Sequence, residues 1–227
     1  AQALKSDQVK VEGNTIYLND VVSWNTFVDG YNNNYETFEI SDDGTYNYSA
    51  ITTICINGDF EINDGNFTAI SELKSGHTLT MDPYCCITGT MKTNDVISIG
   101  DRFGLVGLNF GTIENIKDRK LEVEYTFTKT LTEDASVFIG IIAGANEAEA
   151  DAENGGIIRN CEVTDSKITI MKDDGFTASG SVRILCAAIA GINPKNQEQV
   201  AQPKISNCLV KDFECDASAL SDNEKVA

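Results

Sequence analysis

The chain has 227 residues, enough for one sizeable core and typical of a single all-β domain. Its 17 basic against 35 acidic residues give a formal net charge of −18, which repels nucleic acid and anionic membrane and suits solubility outside the cell. The longest apolar run, residues 137–145, is far too short to cross a membrane, and only three prolines argue against a disordered linker.

Residues 9–11 and 15–18 are short apolar-alternating runs separated by Glu12-Gly13-Asn14, which predicts a hairpin. Ser23 then stands as an N-cap ahead of Trp24, Phe27, Val28 and Tyr31, which share one helical face. That spacing buries the rings together, so the helix reads as a cap over an exposed core and its strand edges rather than as an aromatic ligand platform. Residues 32–48 are rich in Asn, Asp, Gly and Tyr and are expected to be irregular, with Tyr31, Tyr35, Tyr46 and Tyr48 as candidates for exposure. Strands are expected at 51–62, 67–71, 77–81, 85–91 and 96–99, each bounded by Gly, Asn, Asp or Ser.

A repeat follows. The segment Phe103-Gly104-Leu105-Val106-Gly107-Leu108-Asn109, closing at Ile113-Glu114-Asn115, has counterparts at Ile141-Ile142-Ala143-Gly144-Ala145-Asn146, closing at Ile158-Arg159-Asn160-Cys161, and at Ala188-Ile189-Ala190-Gly191-Ile192-Asn193, closing at Ile205-Ser206-Asn207-Cys208. The glycine recurs at 107, 144 and 191, and the closing asparagine at 115, 160 and 207. Periods of this length mean solenoids, propellers or arrays. The copies are short runs of Ile, Val, Thr and Phe broken by Gly and Asn, and Trp24 is the one tryptophan, so neither helical repeats nor propeller blades fit. The pattern predicts a parallel, right-handed β-helix (β-solenoid). Leu105, Ile142 and Ile189 should stack as one inward column, and Ile113, Ile158 and Ile205 as another. The glycine column allows close packing where no Cβ fits. Both asparagine columns, 109/146/193 and 115/160/207, are expected at corners in the left-handed conformation. Between copies, 121–127 and 166–171 alternate apolar and polar as further faces.

The pattern G-L-V-G-x-N-x-G-x-I-x-N resembles the GLUG motif of multi-repeat bacterial surface proteins. Residues 104–115 match it closely; the later copies carry eight extra residues between their asparagines. The resemblance covers 103 to about 216. It implies a cell-surface or secreted, adhesin-like role, with export inferred from the family, since no signal peptide is visible at Ala1.

Candidate chemistry is sparse. Asp42-Asp43 and Asp173-Asp174 are paired carboxylates of the kind glycoside hydrolysis needs, but each pair precedes a glycine as turn residues do. His77 has no evident partner, and Ser or Cys nucleophiles would need it as base. Glu147, Glu149, Asp151 and Glu153 alternate along an acidic loop without the register of a calcium site. Seven cysteines, at 55, 85, 86, 161, 186, 208 and 215, cannot all pair within the chain, and most are expected as small buried apolar groups, at least three of them as free thiols. Cys161 and Cys208 can pair only if their strands stack directly.

These readings converge on an N-terminal cap region at 1–50, β-solenoid coils at 51–216 with GLUG-like repeats at 103–116, 138–161 and 186–208, and a polar tail at 217–227. The expected function is a non-catalytic surface or secreted binding module for an extracellular protein or glycan. A carbohydrate-active β-helix enzyme is the alternative, and a structural spacer the third. No catalytic residue, cofactor or metal site is assigned.

Overall fold

The computed structural model describes residues 2–93, 100–128, 130–195, 201–220 and 224–226; the strand expected at 96–99 lies outside them. Among the described residues the protein is mostly β, with four sheets built mainly of parallel strands, a separate two-stranded antiparallel sheet and one α-helix, Val21–Asn32. A seven-stranded sheet runs Val9–Glu12, Thr15–Leu18, Thr53–Ile56, Thr78–Met81, Thr112–Glu114, Ile157–Arg159, Lys204–Ser206, with only its first pair antiparallel. A five-stranded sheet holds Phe60–Gly65, Ile87–Lys92, Lys117–Phe127, Glu162–Lys172 and Leu209–Asp216. One four-stranded sheet, here the inner-repeat sheet, holds Ile70–Leu73, Val106–Asn109, Ala143–Asn146 and Ala190–Ile192. The other, the late sheet, holds Arg102–Phe103, Ala135–Gly140, Val182–Ala187 and Glu224–Val226. From Arg102 onward the chain passes late sheet, inner-repeat sheet, seven-stranded sheet and five-stranded sheet in that order, three times over.

The strand register follows the sequence repeat. Val106 pairs with Ala143 and Ala143 with Ala190; Ile113 pairs with Ile158 and Ile158 with Ile205. Leu105, Ile142, Ile113 and Ile158 are fully buried, as the column argument requires. Ile189 is partly buried against the same core. The glycine column is a line of close backbone approach. A Cβ on Gly107 would meet the Ser71 carbonyl at 2.8 Å, one on Gly144 the Phe103 nitrogen at 2.5 Å, and one on Gly191 the Ile139 nitrogen at 2.7 Å.

The two asparagine columns differ in a way the sequence does not show. Asn115, Asn160 and Asn207 are left-handed, with φ of 62°, 55° and 52°. The corner at Asn160 lets Ile158 and Cys161, three residues apart, both point inward, and both are fully buried. Asn109 and Asn146 do not adopt positive φ. They are buried and laddered: Asn109 Nδ2 donates to Asn146 Oδ1 at 2.8 Å, and Asn146 Nδ2 donates to Asn193 Oδ1 at 2.8 Å. The same amides also donate to carbonyls, Asn109 to Ile157 and Asn146 to Lys204, each at 3.2 Å. Here asparagine is chosen for its side-chain donors, which satisfy buried corner carbonyls, rather than for backbone tolerance. A second left-handed column, Lys120, Asp165 and Asp212, runs through the five-stranded sheet, where the alternating runs at 121–127 and 166–171 extend backward into eleven-residue strands.

The helix starts one turn earlier than its aromatic face suggests. Its N-cap is Asp20, whose carboxylate accepts from Ser23 N–H at 2.8 Å; Ser23 itself is buried in the first turn. Residues 32–48 are not irregular throughout. Thr37–Ile40 and Gly44–Asn47 form an antiparallel hairpin, whose Phe38 meets Phe27 edge-on at 5.3 Å. The helix lies along the open edge of the inner-repeat sheet. Asn25 donates to Asn66 O at 3.1 Å and accepts from Thr68 N–H at 2.7 Å; Asn32 donates to Ala69 O and accepts from Ser71 N–H, both at 2.9 Å. Tyr31 Oη accepts from Lys74 N–H at 3.2 Å. Two asparagines seven apart lie about 10.5 Å apart along a helix. Three residues of strand span about 10 Å. The helix therefore offers its amides at the repeat of an extended edge and takes the place of a further strand. Asn32→Ala is expected to cost about 1–2 kcal/mol in urea denaturation, with faster hydrogen exchange at the Ser71 amide as its local signature.

The opposite end is bare among the described residues. Lys204–Ser206 and Leu209–Asp216 are the last strands of their sheets, and Ile205, Leu209 and Val210 are 37%, 53% and 44% exposed. Within the polar tail, Glu224–Val226 pairs in parallel with Val182–Ile184.

Candidate functional site

A cleft of about 430 Å³ lies where the helix end, the edge strand Ile70–Leu73 and the start of the late sheet come together. Ser71, Lys92, Asp101, Arg102, Phe103 and Tyr125 supply its distinctive groups. Tyr125 is buried within Lys117–Phe127, and its hydroxyl donates to Asp101 Oδ2 at 3.4 Å. Burial, reinforced by that carboxylate, pushes the phenol well above its ordinary pKa, so it stays a neutral donor. Phe103 packs edge-on to it at 6.0 Å. The two cations are tied to carboxylates: Arg102 to Glu147 at 3.3 Å, and Lys92 to Glu124 at 3.7 Å. The cleft combines aromatic surface with neutralised charge, which favours hydrogen-bonding polar ligands over bare anions.

The carboxylates singled out in the sequence are not gathered there. Asp42 and Asp43 sit in the turn of the 37–47 hairpin, Asp42 with φ of 64° and Asp43 accepting from Tyr46 Oη at 2.7 Å. Asp173 accepts from Gly175 N–H at 3.0 Å, which closes its own turn. In the acidic loop, Glu147 turns back to Arg102, while Glu149, Asp151 and Glu153 border a shallow depression. Among the described residues no three acidic, histidine or cysteine side chains are placed to share a metal ion.

His77 does have a partner. Its Nδ1 lies 2.9 Å from Tyr31 Oη, immediately before the strand Thr78–Met81. Burial lowers the imidazole pKa, with Lys74 adding to the effect, and burial pushes Tyr31 up to about 12. The Tyr31 hydroxyl therefore donates to a neutral ring, and that nitrogen is occupied. Of the tyrosines expected at the surface, Tyr31 is buried and Tyr48 half-buried, donating to Phe27 O at 2.9 Å; Tyr35 is exposed. No family model, curated protein or solved structure matches the chain. Among the described residues, no helix is long and apolar enough to cross a membrane.

The sequence did carry one unused signal for an ion pair. Glu114 and Arg159, which pair at 2.8 Å, are 45 residues apart, the same offset as Ile113 and Ile158, so opposite charges one repeat step apart meet across neighbouring strands. The Arg102–Glu147 pair of the cleft does not follow that rule, because Arg102 aligns with Phe138 on the neighbouring strand.

Proposed function

We propose that the protein is a parallel, right-handed β-solenoid with an N-terminal helical cap, acting as a non-catalytic, adhesin-like binding module at the cell surface or in secreted form. The repeated order in which the chain visits its sheets, with every repeat column in register, supports the solenoid. The resemblance of the 103–116 segment to the GLUG motif supports the surface role. The observation that carries the non-catalytic reading is where the charges go. Glu114–Arg159, Arg102–Glu147 and Lys167–Asp216 neutralise one another sideways, from strand to strand or loop, and the adjacent aspartates close turns. A retaining or inverting glycosidase needs two carboxylates facing each other across a cleft.

The partner is an extracellular protein or a glycan. Surface plasmon resonance against immobilised glycans and matrix proteins should give saturable binding to at least one, weakened at least tenfold by Arg102→Ala with the fold intact by circular dichroism. Product release from acidic or neutral polysaccharides that is lost on mutating Asp42 and Asp43, or Asp173 and Asp174, would replace this reading with a carbohydrate-active enzyme.

A further inference from the structure

Leu209–Asp216 is the last strand of the five-stranded sheet, and one of its edges is unpaired among the described residues. Its facing follows from Glu162–Lys172, its parallel neighbour. There Val163, Ser166 and Ile168 are buried, and Glu162, Thr164, Lys167 and Thr169 are not. By register, Val210, Phe213 and Cys215 face inward, and Leu209, Lys211, Glu214 and Asp216 face outward. Strict alternation would put Val210 and Phe213, three residues apart, on opposite faces. The left-handed corner at Asp212, with φ of 53°, resets the phase. The order of faces outside that corner therefore reads the same in both directions: out, in, out over 209–211 and again over 214–216. An uninterrupted eight-residue strand laid end for end along its own copy would set outer residues against inner ones.

We propose that this edge pairs antiparallel with the same edge of a second copy, giving a two-fold dimer joined at the bare ends. A two-fold axis through the corner sets Lys211 against Glu214, Val210 against Cys215 and Leu209 against Asp216, each pair on a single face. Neither Lys211 nor Glu214 has an ion pair within its own chain among the described residues. The symmetry makes their match twice over, and opposite charges directly across an antiparallel pair attract.

The main chain agrees with that register. Leu209 N–H donates to Cys161 O at 2.9 Å, which turns the N–H and C=O of Val210 toward the free edge. Thr93 N–H donates to Glu124 O at 3.0 Å, so Glu124 faces the preceding strand and Val123 the following one. Cys215 continues the column of Val123 and Ile168, and its N–H and C=O also face the free edge. Val210 and Cys215 are then the hydrogen-bonded pair, and Lys211 and Glu214 the neighbouring pair whose side chains lie closer. Val210 carries the inward Val163 column yet is exposed, because no strand covers it; the second copy supplies that strand. A copy stacked head to tail would instead meet the helix, which already occupies the edge of the inner-repeat sheet. The like-to-like contact closes on itself, so association stops at two.

Sedimentation of the 227-residue chain tests this. The expected mass is twice 24.6 kDa at about 100 µM, falling toward 24.6 kDa on dilution. Lys211→Glu and Glu214→Lys should each weaken association by about tenfold or more, since each sets like charges opposite one another twice. The double variant, Lys211→Glu with Glu214→Lys, should restore it, a rescue that no loss of folding can mimic. On the wild type, hydrogen exchange at the Val210 and Cys215 amides should slow as concentration rises, with no change at Arg102. A monomer at every concentration, a mass that grows without limit, single variants that dimerise like wild type, a double variant no better than the singles, or exchange at Val210 and Cys215 that ignores concentration would overturn the proposal.

Discussion

Asp118→Val should make the protein more stable, by about 1–3 kcal/mol at pH 4, and by more as the pH rises. Asp118 occupies an inward column of the five-stranded sheet, between Ile87 on one side and Val163 on the other, and Val163 in turn pairs with Val210. It is 1% exposed, and neither carboxylate oxygen has a hydrogen-bond partner. Burial pushes its pKa well above that of an ordinary carboxylate, so the folded protein holds it protonated. The sign follows from linkage. Below the unfolded-state value of about 3.9 both states carry the proton, and only the burial of a neutral carboxyl is felt. Above it the unfolded chain ionises while the folded one does not. Stability therefore falls as the pH rises, by up to about 1.4 kcal/mol per unit for this one group, until the folded pKa is reached. Valine removes both effects. Asp118→Asn should remove only the pH dependence and leave the protein less stable than the valine variant. Urea denaturation of all three proteins from pH 4 to 7 measures the differences; a constant gap between wild type and Asp118→Val would show that the carboxylate finds a compensating partner.

Trp24→Ala is expected to cost about 3–5 kcal/mol. The indole is fully buried, stacks on Phe67 at 5.3 Å, meets Phe60 edge-on at 5.9 Å, and donates from Nε1 to Thr68 O at 2.8 Å. Its loss opens a cavity between the helix and the edge of the inner-repeat sheet and leaves that carbonyl without its donor. The helix should then detach before the sheets unfold, visible as protease cleavage within 21–32 under conditions that leave the parallel sheets intact. A variant within about 1 kcal/mol of wild type would deny the helix its structural role.

The apolar pattern of the fold was legible because burial enforces it. Trp24, Phe27, Val28 and Tyr31 fall on one buried helical face, and the phase break between Ile158 and Cys161 places a corner at Asn160. Polar roles were read less well, because each depends on what a distant strand presents. Ser23 and Asp20 are both good caps, and only the chain direction entering the helix selects Asp20. Asn109 and Asn115 are the same residue type in the same motif, yet one serves a side-chain ladder and the other a left-handed backbone. The 37–47 hairpin was masked by its Asn, Asp and Tyr content, since its apolar face is little more than Phe38 and Ile40. The cleft was invisible for a stronger reason: Asp101, Lys92 and Tyr125 are brought together by register alone.

The asparagine ladder separates what a loop does from what the sheets do. From Asn109 to Asn115 the chain spends 6 residue steps, and from Asn146 to Asn160 it spends 14, yet Asn109 pairs with Asn146 and Ile113 with Ile158 without a slip. Eight additional residues leave the columns on either side in place. Sequence change between those posts is thus decoupled from folding, and natural variants or grafted peptides there can alter what the surface presents while the framework beneath keeps its spacing. A foreign epitope placed at 149–154 would be displayed on a rigid ruler whose marks are the repeat itself.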